Sequence, residues 1–238
     1  RTYCSCHANS LCPIGNRIYI SFSFFNTACD FYYQGHYTVL GEPTGNRFNN
    51  TVSRIFIPSW TGSQWNTTEP PGQLDGSVLQ RWSTMDDMDR QSNGDLDGFV
   101  VVAVDASETS PGNWHYEYAI HNLDNSRGFD ALRIPLAGGA SVSNFGFHDI
   151  DNDAGNDWTA SASGSELVFS APSGRNALEW NTIFNVWFDS DTGPMAGSVL
   201  ADQALPGDGA DAIMLNVLAP LEGGPQIYCT PKISSAFC

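Results

Sequence analysis

Lysine is nearly absent from this chain. It has one, Lys232, in 238 residues, and its ten basic residues face 26 acidic ones, for a formal net charge of −16. No basic patch is available to displace counterions from phosphate, which excludes nucleic acid as a partner. An anionic membrane surface is disfavoured for the same reason. The balance favours solubility, multivalent cations and cationic partners. No apolar run reaches the ~18 residues of a membrane-spanning helix, so no membrane insertion is expected. No signal peptide is visible: Arg1 opens directly onto a cysteine cluster, and the expectation is a mature or excised chain. Gly-x-Ser-x-Gly is missing, no Ser/His/Asp order is privileged by spacing, and no phosphate-binding loop occurs, so no nucleotide is expected. Nowhere does a convincing 3.6-residue apolar period run.

Cysteine is absent from the middle. Cys4, Cys6, Cys12 and Cys29 lie near one end, and Cys229 and Cys238 near the other. An even set at the termini reads as disulfides made in an oxidising compartment. Local bridges Cys4–Cys12 and Cys229–Cys238 would leave Cys6–Cys29; pairing between the two ends is the alternative. Cys4-Ser5-Cys6-His7 is one residue too short for a covalent haem site, so no haem is expected. Zinc on Cys4, Cys6, Cys12 and His7 is disfavoured if the compartment is oxidising. With few lysines and much Gly, Asn, Ser, Thr and aromatic content, the chain reads as extracellular or cell-surface.

What is present is strand. Hydrophobic residues make up 41% of the chain, enough for a sizeable core. Expected strands are Arg17–Phe25, Val52–Trp60, Phe99–Asp105, Trp114–His121, Ala131–Leu136, Val142–Phe147, Leu167–Ser170, Ala177–Trp180, Thr182–Asp189 and Ala212–Leu218. Phe99–Asp105 is a nearly unbroken apolar run, as in a strand buried on both faces. Trp114, Tyr116, Tyr118 and Ile120 alternate with His115, Glu117 and His121. In the same way Phe184, Val186 and Phe188 alternate with Asn185 and Trp187. Residues 61–76 are expected to be a long loop, and 77–88 a loop rather than a helix. About ten short strands between Gly/Asp/Asn/Pro turns predict an all-β sandwich or jelly roll with long loops and disulfide-stapled termini. The expected layout is a Cys-rich segment at 1–30, the sandwich at 31–220 and a Cys motif at 221–238. The motifs Tyr3–Pro13 and Tyr228–Cys238 echo one another, as junction units in a larger tandem protein would.

Two acidic stretches invite calcium. Asp149, Asp151, Asp153 and Asp157 crowd one loop between apolar runs, and carboxylates so close repel unless a cation joins them. Asp89, Gln91, Asn93, Asp95 and Asp97, with Gly94, follow the oxygen spacing of a helix-loop calcium site, but Val100 stands where that site has its last Glu. The plainer readings are a solvated acidic loop and an Asn-Gly turn entering a strand. Asp189-Ser190-Asp191 and Asp208–Asp211 read as turns. His115 and His121 are ~20 Å apart along a strand at ~3.3 Å per residue, so they cannot share one metal ion. Glu117, Glu166 and Glu179 are the candidate carboxylates for glycoside chemistry. Trp60, Trp65 and Trp158 are candidate glycan contacts, against the commoner role of Trp in a β core. Asn49-Asn50-Thr51 and Asn66-Thr67-Thr68 are glycosylation sequons.

The phrases Tyr116-Glu117-Tyr118-Ala119-Ile120-His121-Asn122, Phe147-His148-Asp149-Ile150-Asp151 and Ala177-Leu178-Glu179-Trp180-Asn181-Thr182-Ile183-Phe184-Asn185, with the Tyr228-Cys229-Thr230 motif, resemble those of uncharacterised secreted proteins of planctomycete-like environmental bacteria. The resemblance covers residues 98–238. It implies a secreted, modular, β-rich protein and supplies no activity and no catalytic residue. The function expected from all of this is a structural or adhesive extracellular β-module, with Ca2+ ordering its Asp-rich loops, assembling with copies of itself or with other modules of its polypeptide. The second expectation is a glycan-active enzyme or a non-catalytic carbohydrate-binding module.

Overall fold

A computed structural model describes residues 30–221, apart from Thr38, Leu40, Asp95, Leu96 and Asn152. All six cysteines, the expected strand Arg17–Phe25 and both Cys motifs lie outside the described residues. Strands are numbered along the chain. β1 (Phe31–His36), β2 (Thr51–Trp60), β3 (Trp65–Thr68) and β4 (Leu74–Asp75) make a small antiparallel sheet in which β2 pairs with the other three. A 3-10 turn, Val78–Arg81, comes next, its start capped by the Ser77 hydroxyl accepting from the Leu79 N–H.

The remaining strands build the sandwich. Its first sheet runs β5 (Asp87–Ser92), β6 (Phe99–Ser110), β7 (Asn113–Asn122), with β8 (Phe129–Pro135) leaving for the other sheet and β9 (Val142–His148) returning to the first sheet's edge. Next come β10 (Thr159–Ser163), β11 (Glu166–Ser170) and β12 (Thr182–Ser190), then β13 (Pro194–Ala196), β14 (Val199–Gln203), β15 (Ala212–Leu215) and β16 (Leu218–Pro220). The strand orders are β5-β6-β7-β12-β9 and β10-β11-β8-β14-β15, every pairing antiparallel, and β13 pairs with β16.

Alternation decides which side chains fill the space between the two sheets. Val100, Val102 and Val104 of β6, Tyr116, Tyr118 and Ile120 of β7, and Phe184, Val186 and Phe188 of β12 pack against Leu132, Ile134, Leu167, Phe169, Val199 and Ala201. Tyr116 and Phe188 stack with ring centroids 5.1 Å apart. The tyrosine hydroxyls keep partners, Tyr116 donating to the Thr192 carbonyl and Tyr118 to the Leu218 carbonyl, both at 2.8 Å. Burying a hydroxyl is tolerable only with such a bond; the same burial pushes the Tyr118 phenol well above its usual pKa. Each fully buried Val, Leu, Ile or Phe contributes about 1.5–3 kcal/mol of apolar transfer.

Among the described residues, the opposite face of the first sheet is half covered. Val101, Ala103, Ala119 and Ile183 pack against Val78, Leu79 and Trp82, joined by Tyr32, Met85 and Met88. That is why the run 99–104 carries no polar side chain: both of its faces are buried. The layer from β1 through the 3-10 turn forms this cover.

Several expectations are revised. The expected loop 61–76 contains β3 and β4, because β2 offers an edge on which Trp65–Thr68 and Leu74–Asp75 find backbone partners. Ala177–Trp180 is not a strand; it makes only the Phe129–Leu178 bridge. Ala212–Leu218 divides at Asn216, whose N–H goes to Asp89 rather than to a strand. β10 and β14 were not expected.

A candidate ligand-binding face on the open half of a sheet

The half of the first sheet that the described residues leave uncovered is a grid fixed by strand register. Asp105, Glu117, Trp187 and Gly146 stand side by side across β6, β7, β12 and β9. Towards the cover the neighbouring row is Ala103, Ala119, Asn185 and His148; away from it, Ser107, His115, Asp189 and Ser143. Because the apolar alternates of these strands face the core, everything in the grid faces outward.

Trp187 is the organising side chain. A Cβ added at Gly146 would lie 1.9 Å from the indole, so the ring occupies the space that any other residue there would fill. The indole thereby lies against the β9 backbone at Gly146. Beyond it the register shifts between Trp187 and Asp189, and β9 carries an extra residue. Such a bulge bends the strand and re-aims side chains. Here Asn144, at φ 55, directs its amide to Asp189 Oδ2 at 2.9 Å. Asp189 Oδ1 lies 2.6 Å from His115 Nδ1. Asn185 donates to Glu117 Oε1 at 3.3 Å. Glu117 and Asp105 are direct cross-strand neighbours, which puts their Cβ atoms about 4.5–5.5 Å apart. The face thus combines one flat aromatic surface with fixed donors and acceptors, the mixture that orients a polar ligand with an apolar side.

The covered half holds the other histidine of β7. His121 is fully buried, with Nδ1 2.7 Å from Ser77 Oγ and Nε2 3.3 Å from Gln34 Nε2. Gln34 accepts the Val78 N–H through Oε1 and donates to Asn181 Oδ1, so its nitrogen faces His121 as a donor. Nε2 is then the acceptor and Nδ1 carries the proton, donated to Ser77. This tautomer, assigned from the network, points a donor at the serine and offers it no base. Burial, opposed by the Asn181 hydrogen bond and aided by the His36 charge, lowers the His121 pKa to about 3. Ser77 and His121 therefore join the cover to the sandwich and do not form a nucleophilic pair.

The expected calcium residues take two different forms. Asp149, Asp151 and Asp153 make successive Asx turns, accepting the N–H of Asp151, Asp153 and Gly155 at 2.9, 2.6 and 3.0 Å. Asn176 bonds Asp149 Oδ2 and Asn156 bonds Asp151 Oδ2. The Asp157 pKa is raised by partial desolvation and by the charges of Asp149 and Asp151, with a smaller push from Asp153 and an opposing pull from His148. The second stretch is not a loop between helices. Asp89 and Gln91 stand on β5, and Asp89 accepts from Gln91 and from the Asn216 N–H. Asn93 bonds Asp97 Oδ2 and the Ala210 carbonyl, and Asp97 meets the Arg127 guanidinium at 3.3 Å. Asp95 lies outside the described residues. Among the described residues, no three His, Cys, Asp or Glu side chains are gathered closely enough to hold a metal ion.

The remaining candidates separate by exposure. Trp158 is 3% exposed, stacks on Phe147 and donates to the Asn176 carbonyl, so it is a core residue and cannot meet a glycan. Trp60 and Trp65 are cross-strand partners at the tip of the β2–β3 hairpin, 5.6 Å between centroids, and Trp60 is 48% exposed. Glu166 pairs with Arg133 at 3.7 Å. Glu179 is exposed, in a turn after Leu178. Only Glu117 of the three glutamates sits beside a second carboxylate and a tryptophan. Trp187 was legible as an outward residue of its strand, but nothing local pointed to its seat on Gly146.

No family model matches this chain, and no curated protein matches it. Two solved structures of the GH20 exo-β-N-acetylglucosaminidase of Vibrio harveyi, one with N-acetylglucosamine and one of an inactive mutant, are similar to 53% of the chain at 17% identity and a TM-score of 0.32. The chain spans about a fifth of that enzyme, 19% of its length. A likeness this slight bears on neither fold nor activity.

Proposed function

We propose that the chain is an extracellular adhesive β-sandwich module that holds a glycan on the open half of its first sheet. The carrying observation is the seat of Trp187 on Gly146 within a grid of polar side chains. A sugar ring has an apolar C–H face and a rim of hydroxyls. A tryptophan seated against the Gly146 backbone offers the first a surface at little entropic loss, and Glu117, Asp189, Asn144 and Asn185 offer the second acceptors and donors already held in place. The scarcity of lysine and the cysteine-rich termini support an extracellular setting. The test is a screen of immobilised oligosaccharides with the wild-type chain and Trp187→Ala. Binding that the substitution removes, with the melting temperature kept within a few degrees, supports the reading. No binding in the wild type, or equal binding in both, removes it.

Glycoside hydrolysis is the second reading, favoured by the Asp105–Glu117 pair beside Trp187. Retaining enzymes hold their two carboxyl groups about 5–5.5 Å apart, and direct cross-strand neighbours such as these have Cβ atoms about 4.5–5.5 Å apart. Release of reducing ends from the bound sugar, lost in Glu117→Gln, would select this reading; binding without release selects the adhesive one. Calcium at Asp149–Asp157 is the ordering cation proposed for the sandwich end, supported by the Asp157 pKa, which desolvation raises first and the charges of Asp149 and Asp151 raise further.

A further inference from the structure

We infer that the sheet-face site selects a glycan carrying free amino groups over its N-acetylated or neutral counterparts; this rests on the reading of the face as a glycan site. The reason lies in the row itself. Its order is Asp105, Glu117, Trp187, Gly146, on four adjacent strands about 4.8 Å apart. The indole folds away from Glu117 and lies over β9. A sugar stacked on it sits at one end of the row, and later units of a chain crossing the strands come over β7 and β6, about 10–14 Å away. There it meets two carboxylates. Like charges directly opposite on neighbouring strands are unfavourable. Glu117 has an amide donor in Asn185. Among the described residues no ion pair joins a basic side chain to Asp105 or Glu117, and the histidine–carboxylate contact of the face, His115 with Asp189, is spent within its own row.

An ammonium on the ligand supplies what the row lacks: a positive charge between two acceptors, with three N–H donors to divide among them. An acetamido group removes the charge and two of those donors. A uronic acid or sulfated unit adds a third negative charge. The wider field agrees in sign, because a chain of net charge −16 concentrates cations at its surface. The indole contributes at the other end, by C–H stacking and by its attraction for a cation over its face.

The experiment is calorimetric titration of the full chain at pH 6 with oligomers of glucosamine, N-acetylglucosamine and glucose of equal length. The glucosamine oligomer should bind about tenfold tighter than either of the others. Glu117→Gln with Asp105→Asn should bring that preference to within about twofold while keeping the N-acetylated and neutral affinities. Trp187→Ala should weaken all three. Equal affinity for the three oligomers overturns the inference and leaves the glycan reading intact. A preference that survives in the double variant also overturns it, since the attraction would then come from net charge and not from this row. No binding of any oligomer to the wild type sinks both.

Discussion

Two acidic clusters at one end of the sandwich, one beside the β5 and β15 edge and one beside the β9 and β10 edge, solve the same electrostatic problem differently. The β5–β6 turn and the 205–211 loop bring Asp97 and Asp211 together, and Arg127 sits among them as an internal cation. Its Nε donates to the Leu205 carbonyl at 2.6 Å, and Nη1 reaches the carbonyls of Asp208 and Ala210 at 3.4 and 3.1 Å. Backbone oxygens and carboxylates converging from two loops are the donor set of a hard cation, and the guanidinium fills that role from within the chain. Among the described residues, no Arg or Lys forms an ion pair with the Asp149–Asp157 loop. Its carboxylates turn inward onto their own backbone N–H groups, and Asp157 keeps the strain as a raised pKa. One cluster is neutralised from within the fold; the other is left open to whatever cation the solvent supplies.

The largest test removes the internal cation. Arg127→Met should destabilise the chain by about 3–5 kcal/mol, the range for leaving one partner of a buried ion pair uncompensated. Asp97, 6% exposed, would keep its charge with only the neutral Asn93 amide as partner, and three carbonyls would lose a donor. Urea unfolding followed by tryptophan fluorescence reads this directly. A loss under about 1 kcal/mol would put Arg127 on a par with an exposed pair and erase the contrast between the two clusters.

Acid separates the covered sheet from the open loop by sign. His121 stays neutral in the folded chain down to about pH 3, whereas in the unfolded chain it takes a proton below about 6.5. Between those values the unfolded state binds more protons, so stability falls as pH falls. The expected loss from pH 7 to pH 5 is about 2 kcal/mol, at about 1.4 kcal/mol per pH unit below 6.5. Asp157 works the other way. Its folded pKa is raised, so lowering the pH through it relieves the loop. Stability rising on acidification from pH 7 to 5 would remove His121 from its assigned neutral tautomer.

Next in size is the anchor of the open loop. Asp149 is 2% exposed and holds both the Asp151 N–H and Asn176. Asp149→Ala leaves those donors unmade and should cost about 1–3 kcal/mol. Asp153→Asn, at the exposed middle of the same loop, should stay within about 0.5 kcal/mol. Equal effects at the two positions would mean the loop is held by charge rather than by the bonds of its buried first residue.

How much of this was readable beforehand depends on distance along the chain. Periodicity of two is local, so the inward faces of β7 and β12 and the double burial of Phe99–Val104 could be seen in the sequence. The pairing of Trp187 with Gly146 could not, because it needs the register of strands about forty residues apart, and the bulge at Asn144 breaks the parity by which β9 would be read. Arg127 as the partner of Asp97 failed to show for a related reason: it lies 30 residues away, and the calcium-like spacing of Asp89–Asp97 offered a local explanation for the same carboxylates. In β5 that spacing is only the two-residue alternation of a strand. Trp158 misled in the opposite direction, its acidic neighbours suggesting exposure while its indole closes the core beneath them.

The smallest effect is the most direct comparison of the two clusters. Asp157→Asn should raise the melting temperature slightly at pH 7, by removing a like charge from Asp149 and Asp151, and should make no difference at pH 3, where the carboxyl is already protonated. Millimolar calcium should act in the same direction on the wild type. The affinity is expected to be weak, because the three Asx turns must give up backbone contacts before their oxygens can face one ion. Binding to the native state alone raises the melting temperature by mass action, and the rise should shrink in Asp151→Asn and stay unchanged in Asp211→Asn, whose cluster already holds its cation in Arg127. A calcium response that tracks Asp211 instead would mean that the guanidinium does not close its own cluster, and the distinction between a filled and an open cluster would fail at its stronger half.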